Sequence, residues 1–189
     1  MFFLSAICAA LVSCSAAITQ LPTHEATNCT TVSLAGDVPI PFFDLPVVTA
    51  CSPFVVSPSD VEAIRRTLSR YPLAIDGKNF AALNLIFTSN AVANYSAPLN
   101  VLTPLATIQS ALEASLMPVT TQHLLGTQII DVLSPTSAFS VSYFTATHFG
   151  KGAYLGEIVT AYGQYQDWWI RQKDLSWKIT HRNLLYMVS

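Results

Sequence analysis

Charged side chains are scarce in this sequence of 189 residues. Lysine and arginine together number nine, and aspartate and glutamate number eleven, which leaves a net charge of −2 at pH 7. Binding to a nucleic-acid backbone needs a cluster of basic side chains that neutralise phosphates. A near-neutral chain with so few basic residues does not supply such a cluster, so we expect no nucleic-acid partner.

Three familiar kinds of site are also missing from the sequence. It has no glycine-rich phosphate-binding loop, no Gly-x-Ser-x-Gly turn that would present a nucleophilic serine, and no two histidines at metal-ligand spacing. We therefore expect neither a cofactor nor a bound metal. What remains is a scatter of acid–base side chains in a chain that is 51% hydrophobic.

The first seventeen residues carry no charged side chain and contain an apolar run that ends in small residues. This arrangement is typical of a secretory signal peptide that is cleaved after Ala16 or Ala17. A short membrane anchor is the alternative, but the run is shorter than the roughly 20 residues that span a bilayer. We predict a signal peptide over residues 1–17, no membrane span in the mature protein, and secretion or residence in the lumen of the secretory pathway.

The cysteines agree with export. Of four cysteines, Cys8 and Cys14 lie in the predicted signal peptide, which leaves Cys29 and Cys51 as a pair. In an oxidising compartment this pair should form a disulfide that closes a loop of about 20 residues and contributes about 2–4 kcal/mol. Two unrelated buried thiols are the alternative. Two Asn-x-Ser/Thr sequences are candidate glycosylation sites, at Asn28 and Asn94.

Prolines and helix signals divide the rest of the chain. Six prolines fall within residues 18–58, and because proline disfavours helices, this segment is predicted to be an extended arm that wraps the domain. A capping box at Ser59–Glu62 opens the first helix, which we expect to kink or break at Pro72. A second short helix is predicted from Asn79. A third opens with Thr103 as cap and Pro104 in the first position, and ends at Pro118.

β-branched and aromatic runs separated by short turns predict strands over most of the remaining chain. The predicted strands cover residues 91–95, 121–133, 138–149, 154–172 and 177–187. Helices followed by a long antiparallel meander indicate the α+β class. We predict one domain over residues 59–189, with about three N-terminal helices packed on a curved antiparallel sheet that forms a cone.

The candidate acid–base side chains occupy a predicted helix end and predicted strands: Asp76, Tyr95, His123 and His148. Each of them alone has an ordinary explanation, as a solvated turn residue, a packed tyrosine or a structural histidine. The last strand holds His181 next to Arg182, and neighbouring strand residues face opposite sides of a sheet, so one of the two must point outward.

Taken together, these residues resemble a known family. The matching pattern consists of Tyr71-x-x-Ala74-Ile75-Asp76, a strand ending at Tyr95, Thr121-Gln122-His123-Leu124-Leu125-Gly126, His148, and Trp177-Lys178-Ile179 with Arg182. It is similar to the SnoaL-like superfamily, whose cone-shaped fold is shared by nuclear transport factors, scytalone dehydratase and bile-acid dehydratases. The resemblance runs from Ser59 to the C-terminus, about two thirds of the chain.

The resemblance also implies roles for these side chains. Asp76 and His123 match the family's Asp–His couple, while Tyr95 and His148 fall at spacings similar to the carbonyl-side tyrosine and second histidine of scytalone dehydratase. Tyr71 resembles the tyrosine ahead of the aspartate in the bile-acid enzymes. The candidate substrate-binding residues are Tyr71 and Arg182.

The implied activity is that of a cofactor-independent lyase or isomerase. It would dehydrate, isomerise or cyclise a small, mostly apolar hydroxylated carbonyl compound, of the kind made in secondary metabolism. His123 would act as base with Asp76 fixing its tautomer, Tyr95 would polarise the carbonyl and His148 would act as acid. Two alternatives remain: a binding protein that holds an apolar ligand without reacting, and a secreted interaction protein that uses the arm as its contact surface. Homo-oligomerisation stays open.

Overall fold

The computed structural model describes Leu34, Gly36 and residues 38–187. The α-helices in this range are α1 (Leu45–Cys51), α2 (Pro58–Asp76) and α3 (Leu105–Leu116), with short 3₁₀ helices at Phe80–Leu85 and Gly152–Tyr154. The strands are β1 (Phe87–Asn94), β2 (Val101–Leu102), β3 (Val119–Ser134), β4 (Ser137–Gly150), β5 (Ile158–Arg171) and β6 (Trp177–Tyr186). The predicted signal peptide, Asn28 and Cys29 lie outside the described residues.

The strands of the described part form one curved, unclosed sheet in the order β2-β1-β6-β5-β4-β3. This sheet and its helices confirm the predicted α+β class. β3 to β6 form the expected meander of antiparallel hairpins. The expectation of a wholly antiparallel sheet was wrong at one pair, because β1 runs parallel to β6. These two strands are far apart in sequence, so no hairpin turn fixes their relative direction.

The N-cap of α2 lies two residues before Ser59, the first residue of the predicted capping box. This N-cap is Ser57, and Pro58 occupies the first turn, where its missing N–H removes no helical hydrogen bond. The Ser57 hydroxyl donates to Asp60 Oδ2 at 2.6 Å, and the indole N–H of Trp177 donates to Asp60 Oδ1 at 3.0 Å. Asp60 therefore joins the start of α2 to β6.

The predicted break at Pro72 was wrong, because α2 continues through this proline to Asp76. Pro72 lies in the last two turns and removes one backbone hydrogen bond. Ile64, Leu68 and Ile75 lie on the buried side of the same helix and are almost completely inaccessible to solvent. Burial of this apolar face holds the helix on the sheet and outweighs the missing hydrogen bond.

The arm contains a short helix that was not predicted. α1 has Pro46 in its first turn, a position in which proline favours a helix. It packs on the outer face of the sheet, the face turned away from α2 and α3, through a small apolar cluster of Ile40, Leu45, Val48, Phe139 and Val141. Cys51, at the end of α1, is disulfide-bonded. Its pairing with Cys29 stays a prediction, since Cys29 lies outside the described residues.

Side chains of β5 bind the arm to this outer face. The amide of Gln166 meets both backbone groups of Ile40, with its oxygen 2.8 Å from the N–H and its nitrogen 2.7 Å from the carbonyl oxygen. The indole N–H of Trp168 donates to the carbonyl oxygen of Leu34 at 2.8 Å. The arm thus supplies hydrogen-bond partners for polar groups that it covers.

Several predicted boundaries differ from the observed ones. β1 begins at Phe87 rather than Ala91, and β5 begins at Ile158 because a 3₁₀ turn occupies the residues around Tyr154. The third helix starts at Leu105, so the predicted Thr103 cap was wrong. Pro104 is the N-cap residue instead, since its ψ of −168° is extended rather than helical. No helix among the described residues is long and apolar enough to cross a membrane.

Candidate active site

A cavity of about 420 Å³ opens between the inner face of the sheet, α2 and α3. Most of its wall is apolar, with aliphatic side chains from α3, β3, β4 and β5. Its polar lining groups include the side chains Tyr71, Tyr95, Ser115, His123, His148, Tyr165 and Tyr186. Four of the predicted site residues therefore line one cavity: Tyr71, Tyr95, His123 and His148.

Asp76 lies directly beside His123. Its Oδ1 is 2.7 Å from His123 Nδ1, and its Oδ2 accepts the backbone N–H of His123 at 2.8 Å. The Thr121 hydroxyl donates to Oδ1 at 2.9 Å. Three hydrogen bonds from one strand therefore fix the carboxylate, and its contact with Nδ1 leaves Nε2 as the ring nitrogen available to a ligand.

Local structure explains why these groups meet. Asp76 is the last residue of α2, and the helix ends at Gly77, where an added Cβ would lie 2.7 Å from the carbonyl oxygen of Leu73. Thr121 and His123 are two residues apart on β3, so their side chains face the same side of the sheet. A helix that ends over this strand can place one carboxylate against both residues.

The surroundings of His123 favour its neutral imidazole form. Its side chain is 7% exposed, and this burial lowers the pKa of His123 below its usual value, although the hydrogen bond and the charge of Asp76 oppose the shift. His148 and Lys78 add smaller effects that also lower the pKa of His123. A neutral imidazole that donates from Nδ1 to a carboxylate is an acceptor at Nε2, which is what a general base requires.

His148 lies on β4, the strand next to β3, which carries His123. It is the cross-strand partner of Thr121, and its ring centroid lies 6.1 Å from that of His123, with the two rings nearly perpendicular. Nδ1 of His148 is buried and has no hydrogen-bond partner within the described residues. A second imidazole therefore shares the cavity with the base.

The two tyrosines form a hydroxyl pair. The oxygen atoms of Tyr71 and Tyr95 are 3.1 Å apart, and both side chains are buried. Burial raises the pKa of Tyr71 and raises that of Tyr95 well above its usual value. Both phenols therefore stay protonated, and a proton is available for a ligand oxygen. Asn94, one residue before Tyr95 and the last residue of β1, is only partly buried.

A family model for the SnoaL-like domain matches residues 57–183. The chain belongs to the SnoaL-like family. No curated protein matches the sequence. The match covers α2, α3 and the sheet except the last three residues of β6, and therefore every residue that lines the cavity except Leu184 and Tyr186.

Solved structures share the SnoaL-like fold at low sequence identity. A candidate scytalone dehydratase from Novosphingobium aromaticivorans is 24% identical, with 68% of this chain and 85% of that chain covered and a TM-score of 0.62. The type 2 hexachlorocyclohexane dehydrochlorinase LinA is 14% identical, with 68% and 86% covered and a TM-score of 0.61. ActVI-ORFA from Streptomyces coelicolor is 16% identical, with 68% and 98% covered and a TM-score of 0.58. At these identities the likeness shows the fold.

Arg182 does not contact the cavity of the SnoaL-like domain, in contrast to its predicted role. It was expected to bind substrate, but its side chain is fully buried and does not line the cavity. It forms two hydrogen bonds to Asp167, at 2.7 and 2.8 Å, and its guanidinium carbon lies 4.2 Å from the ring centroid of Tyr71 and 4.1 Å from that of Tyr165. Arg182 therefore supports the tyrosines from behind the cavity wall.

Sequence reasoning missed Asp167 as a partner for Arg182, although a signal was present. Asp167 lies six residues before the predicted turn 173–176 and Arg182 lies six residues after it. Residues at equal distances from a hairpin turn face each other, and opposite charges there form cross-strand pairs. Thr121 was missed as well. Its position two residues before His123 was the available signal.

Two further observations concern other possible binding sites among the described residues of the SnoaL-like domain. Among the described residues, no group of three or more His, Cys, Asp or Glu side chains could hold a metal ion. A second apolar cavity of about 360 Å³ lies on the outer face between α1, β3 and β4. No histidine or carboxylate lines it, whereas both His123 and His148 line the inner cavity.

Proposed function

We propose that the protein is a cofactor-independent acid–base lyase or isomerase that acts on a small, mostly apolar hydroxylated carbonyl compound. The observation that carries this proposal is the 2.7 Å contact between Asp76 Oδ1 and His123 Nδ1 beside an apolar cavity. Two fold neighbours are named for eliminations, a dehydratase and a dehydrochlorinase. Eliminations of this kind begin with removal of a proton from carbon, and a neutral, oriented imidazole can take it.

The first step is proton removal next to the substrate carbonyl. Nε2 of His123 takes the proton, and the electron pair of the broken C–H bond moves to the carbonyl oxygen. Asp76 keeps the imidazole in the required tautomer and stabilises the imidazolium that forms. Tyr95, whose hydroxyl is paired with that of Tyr71, donates a hydrogen bond to the developing enolate oxygen.

The second step is loss of the hydroxyl group on the next carbon. The carbonyl re-forms, the electron pair makes a carbon–carbon double bond, and the C–O bond breaks. His148 gives a proton to the departing oxygen, which leaves as water. In an isomerisation the same enolate would instead take a proton at another carbon. The apolar wall keeps bulk water away from the enolate. It thereby strengthens the hydrogen bonds that Tyr95 and His148 donate to the substrate oxygens.

Proton exchange provides a test that does not require the natural substrate. A panel of cyclic β-hydroxy ketones is incubated with the enzyme in deuterium oxide, and NMR follows both deuterium uptake at the α-carbon and formation of the unsaturated product. Wild type should catalyse both for at least one member. His123→Ala should be slower by roughly 100-fold or more, the usual contribution of general acid–base catalysis.

His181→Gln is the matched control, because His181 lies on the outer face against Trp168, with ring centroids 5.9 Å apart. This variant should keep the wild-type exchange rate. Exchange by His123→Ala at the wild-type rate would contradict the proposal. Tight binding of panel members without any exchange by wild type would favour the alternative of a non-catalytic binding protein.

We also propose that the protein is secreted after removal of residues 1–17 and that Cys29 pairs with Cys51. The apolar start of the sequence and the disulfide bond of Cys51 support this proposal. Intact-mass measurement of secreted material, with and without reductant, tests both parts. Retention of Met1, or a free thiol at Cys29 in unreduced protein, would contradict it.

A further inference from the structure

Lys78 and Thr121 continue the hydrogen-bond chain of the candidate couple away from the cavity. The Lys78 ammonium donates to the Thr121 hydroxyl oxygen at 3.0 Å, and that hydroxyl donates to Asp76 Oδ1 at 2.9 Å. A hydroxyl has one proton to donate and can accept another hydrogen bond. Lys78 therefore donates to Thr121, and Thr121 donates to Asp76. The His123 ring also donates to Asp76.

The backbone at Lys78 points to a role for its side chain. Lys78 has a φ of +57°, in the left-handed region, directly after the end of α2. Glycine is the usual residue at this position of a helix end, because it adopts positive φ without steric conflict. In this chain the glycine, Gly77, comes one residue earlier, and a lysine occupies the strained position. From this position the lysine side chain reaches the Thr121 hydroxyl.

We propose that Lys78 and Thr121 are positioning residues for the Asp76–His123 pair. Lys78 fixes the Thr121 hydroxyl as a donor to Asp76 Oδ1, and the carboxylate is thereby held with the same oxygen against His123 Nδ1. Neither residue lines the cavity, so both act through Asp76. The role deepens the proposed function and rests on it, because the position of the base matters only if His123 takes a proton from a substrate.

The charged and titratable groups around His123 determine how this role can be measured. Asp76 ends α2, Tyr71 approaches from the same helix with its ring centroid 6.4 Å away, and His148 faces His123 from β4. The Lys78 ammonium lowers the pKa of His123, while Asp76 opposes that effect. Burial lowers the pKa of Lys78 itself, Asp76 opposes that shift, and Lys151 adds a smaller lowering effect. Removal of the Lys78 charge should therefore raise the pKa of His123.

NMR of the four histidine rings in the labelled full-length protein, without substrate, tests the proposal directly. The His123 signals are assigned by their loss in His123→Gln. In Lys78→Met we expect the His123 titration midpoint to move to higher pH, and in Lys78→Arg to return towards wild type. In Thr121→Val the fraction of His123 protonated at Nδ1 should fall, whereas Thr121→Ser should retain it. Lys173→Met is the charge-matched control, because Lys173 lies in the turn between β5 and β6, and it should leave the His123 signals unchanged.

Superimposable His123 titrations for wild type, Lys78→Met and Thr121→Val would overturn the proposal. The variants Lys78→Arg and Thr121→Ser separate a positioning role from a role in folding. A loss of folded structure would not be expected to disappear when Lys78→Arg restores the His123 titration midpoint. The result is also separate from the activity assay. Shifted titrations with no turnover of any compound would show that Lys78 and Thr121 hold the Asp76–His123 pair in place, and would count against the proposed function alone.

Discussion

The buried pair of Asp167 and Arg182 allows a stability prediction with a defined size. Both side chains are 0% exposed, and two hydrogen bonds of 2.7 and 2.8 Å join them. Arg182→Met keeps most of the side-chain volume but leaves the Asp167 carboxylate buried without its partner. Breaking a buried pair on one side destabilises a protein by about 3–5 kcal/mol. For a chain of this length such a loss lowers the melting temperature by about 6–20 °C.

The pH dependence of this variant follows from the same carboxylate. Burial already raises the pKa of Asp167, and Arg182 opposes that shift. In Arg182→Met the pKa of Asp167 in the folded state should therefore lie further above its unfolded value. The folded protein then binds more protons than the unfolded protein between the two values, so stability falls as pH rises through that interval. The difference in free energy of unfolding between wild type and Arg182→Met should therefore shrink at acidic pH.

Urea unfolding of wild type, Arg182→Met and the double variant Asp167→Leu/Arg182→Met measures these effects. The double variant should regain much of the lost stability, because neither charge remains buried alone. A single variant as stable as wild type at pH 7 would refute the reasoning. A double variant that is less stable than Arg182→Met would refute it as well, because the deficit could then not come from an unpaired carboxylate.

Three further predictions concern other parts of the structure. Asp60→Ala should lower the free energy of unfolding by about 1–3 kcal/mol, because it leaves the buried indole N–H of Trp177 without a partner. Thermal unfolding measures this loss, and an unchanged melting temperature would contradict the prediction. Because burial places the pKa of folded His123 below its unfolded value of 6.5, the unfolded state binds more protons between the two pKa values. The free energy of unfolding should therefore fall as pH drops from 6.5 through this interval and level off below it, and this component should vanish in His123→Gln. The kcat/KM should fall as pH drops through the pKa of folded His123. Tyr95→Phe should reduce turnover by roughly 100-fold by removing a donor to the enolate oxygen, with little change in substrate binding measured by calorimetry; unaltered turnover would remove Tyr95 from the mechanism.

Local patterns allowed the larger elements to be predicted. The meander from β3 to β6 follows from β-branched and aromatic runs between short turns, which act within a few residues of each other. The helix signals before α2 predicted its start to within two residues of the observed one. Pro72 misled the prediction, because tertiary burial of Ile64, Leu68 and Ile75 outweighs a single lost hydrogen bond.

Contacts between distant segments could not be predicted in the same way. The parallel pairing of β1 with β6 and the binding of Ile40 by Gln166 join residues about 90 to 130 positions apart, and nothing local specifies them. At the site, the family resemblance pointed to Asp76 and His123. The contact of Lys78 with Thr121 depends on how α2 ends over β3, and the sequence carries no separate signal for it.

Turnover of three variants tests the central claim, that Asp76 and His123 work as one base, most directly. With a substrate identified by the exchange assay, kcat and KM are measured for Asp76→Asn, His123→Ala and the double variant. Each single variant should lose roughly 100-fold or more in kcat with a much smaller change in KM. The double variant should be scarcely slower than His123→Ala, because the two residues act as a unit. Losses that multiply in the double variant, or full activity in His123→Ala, would contradict the account.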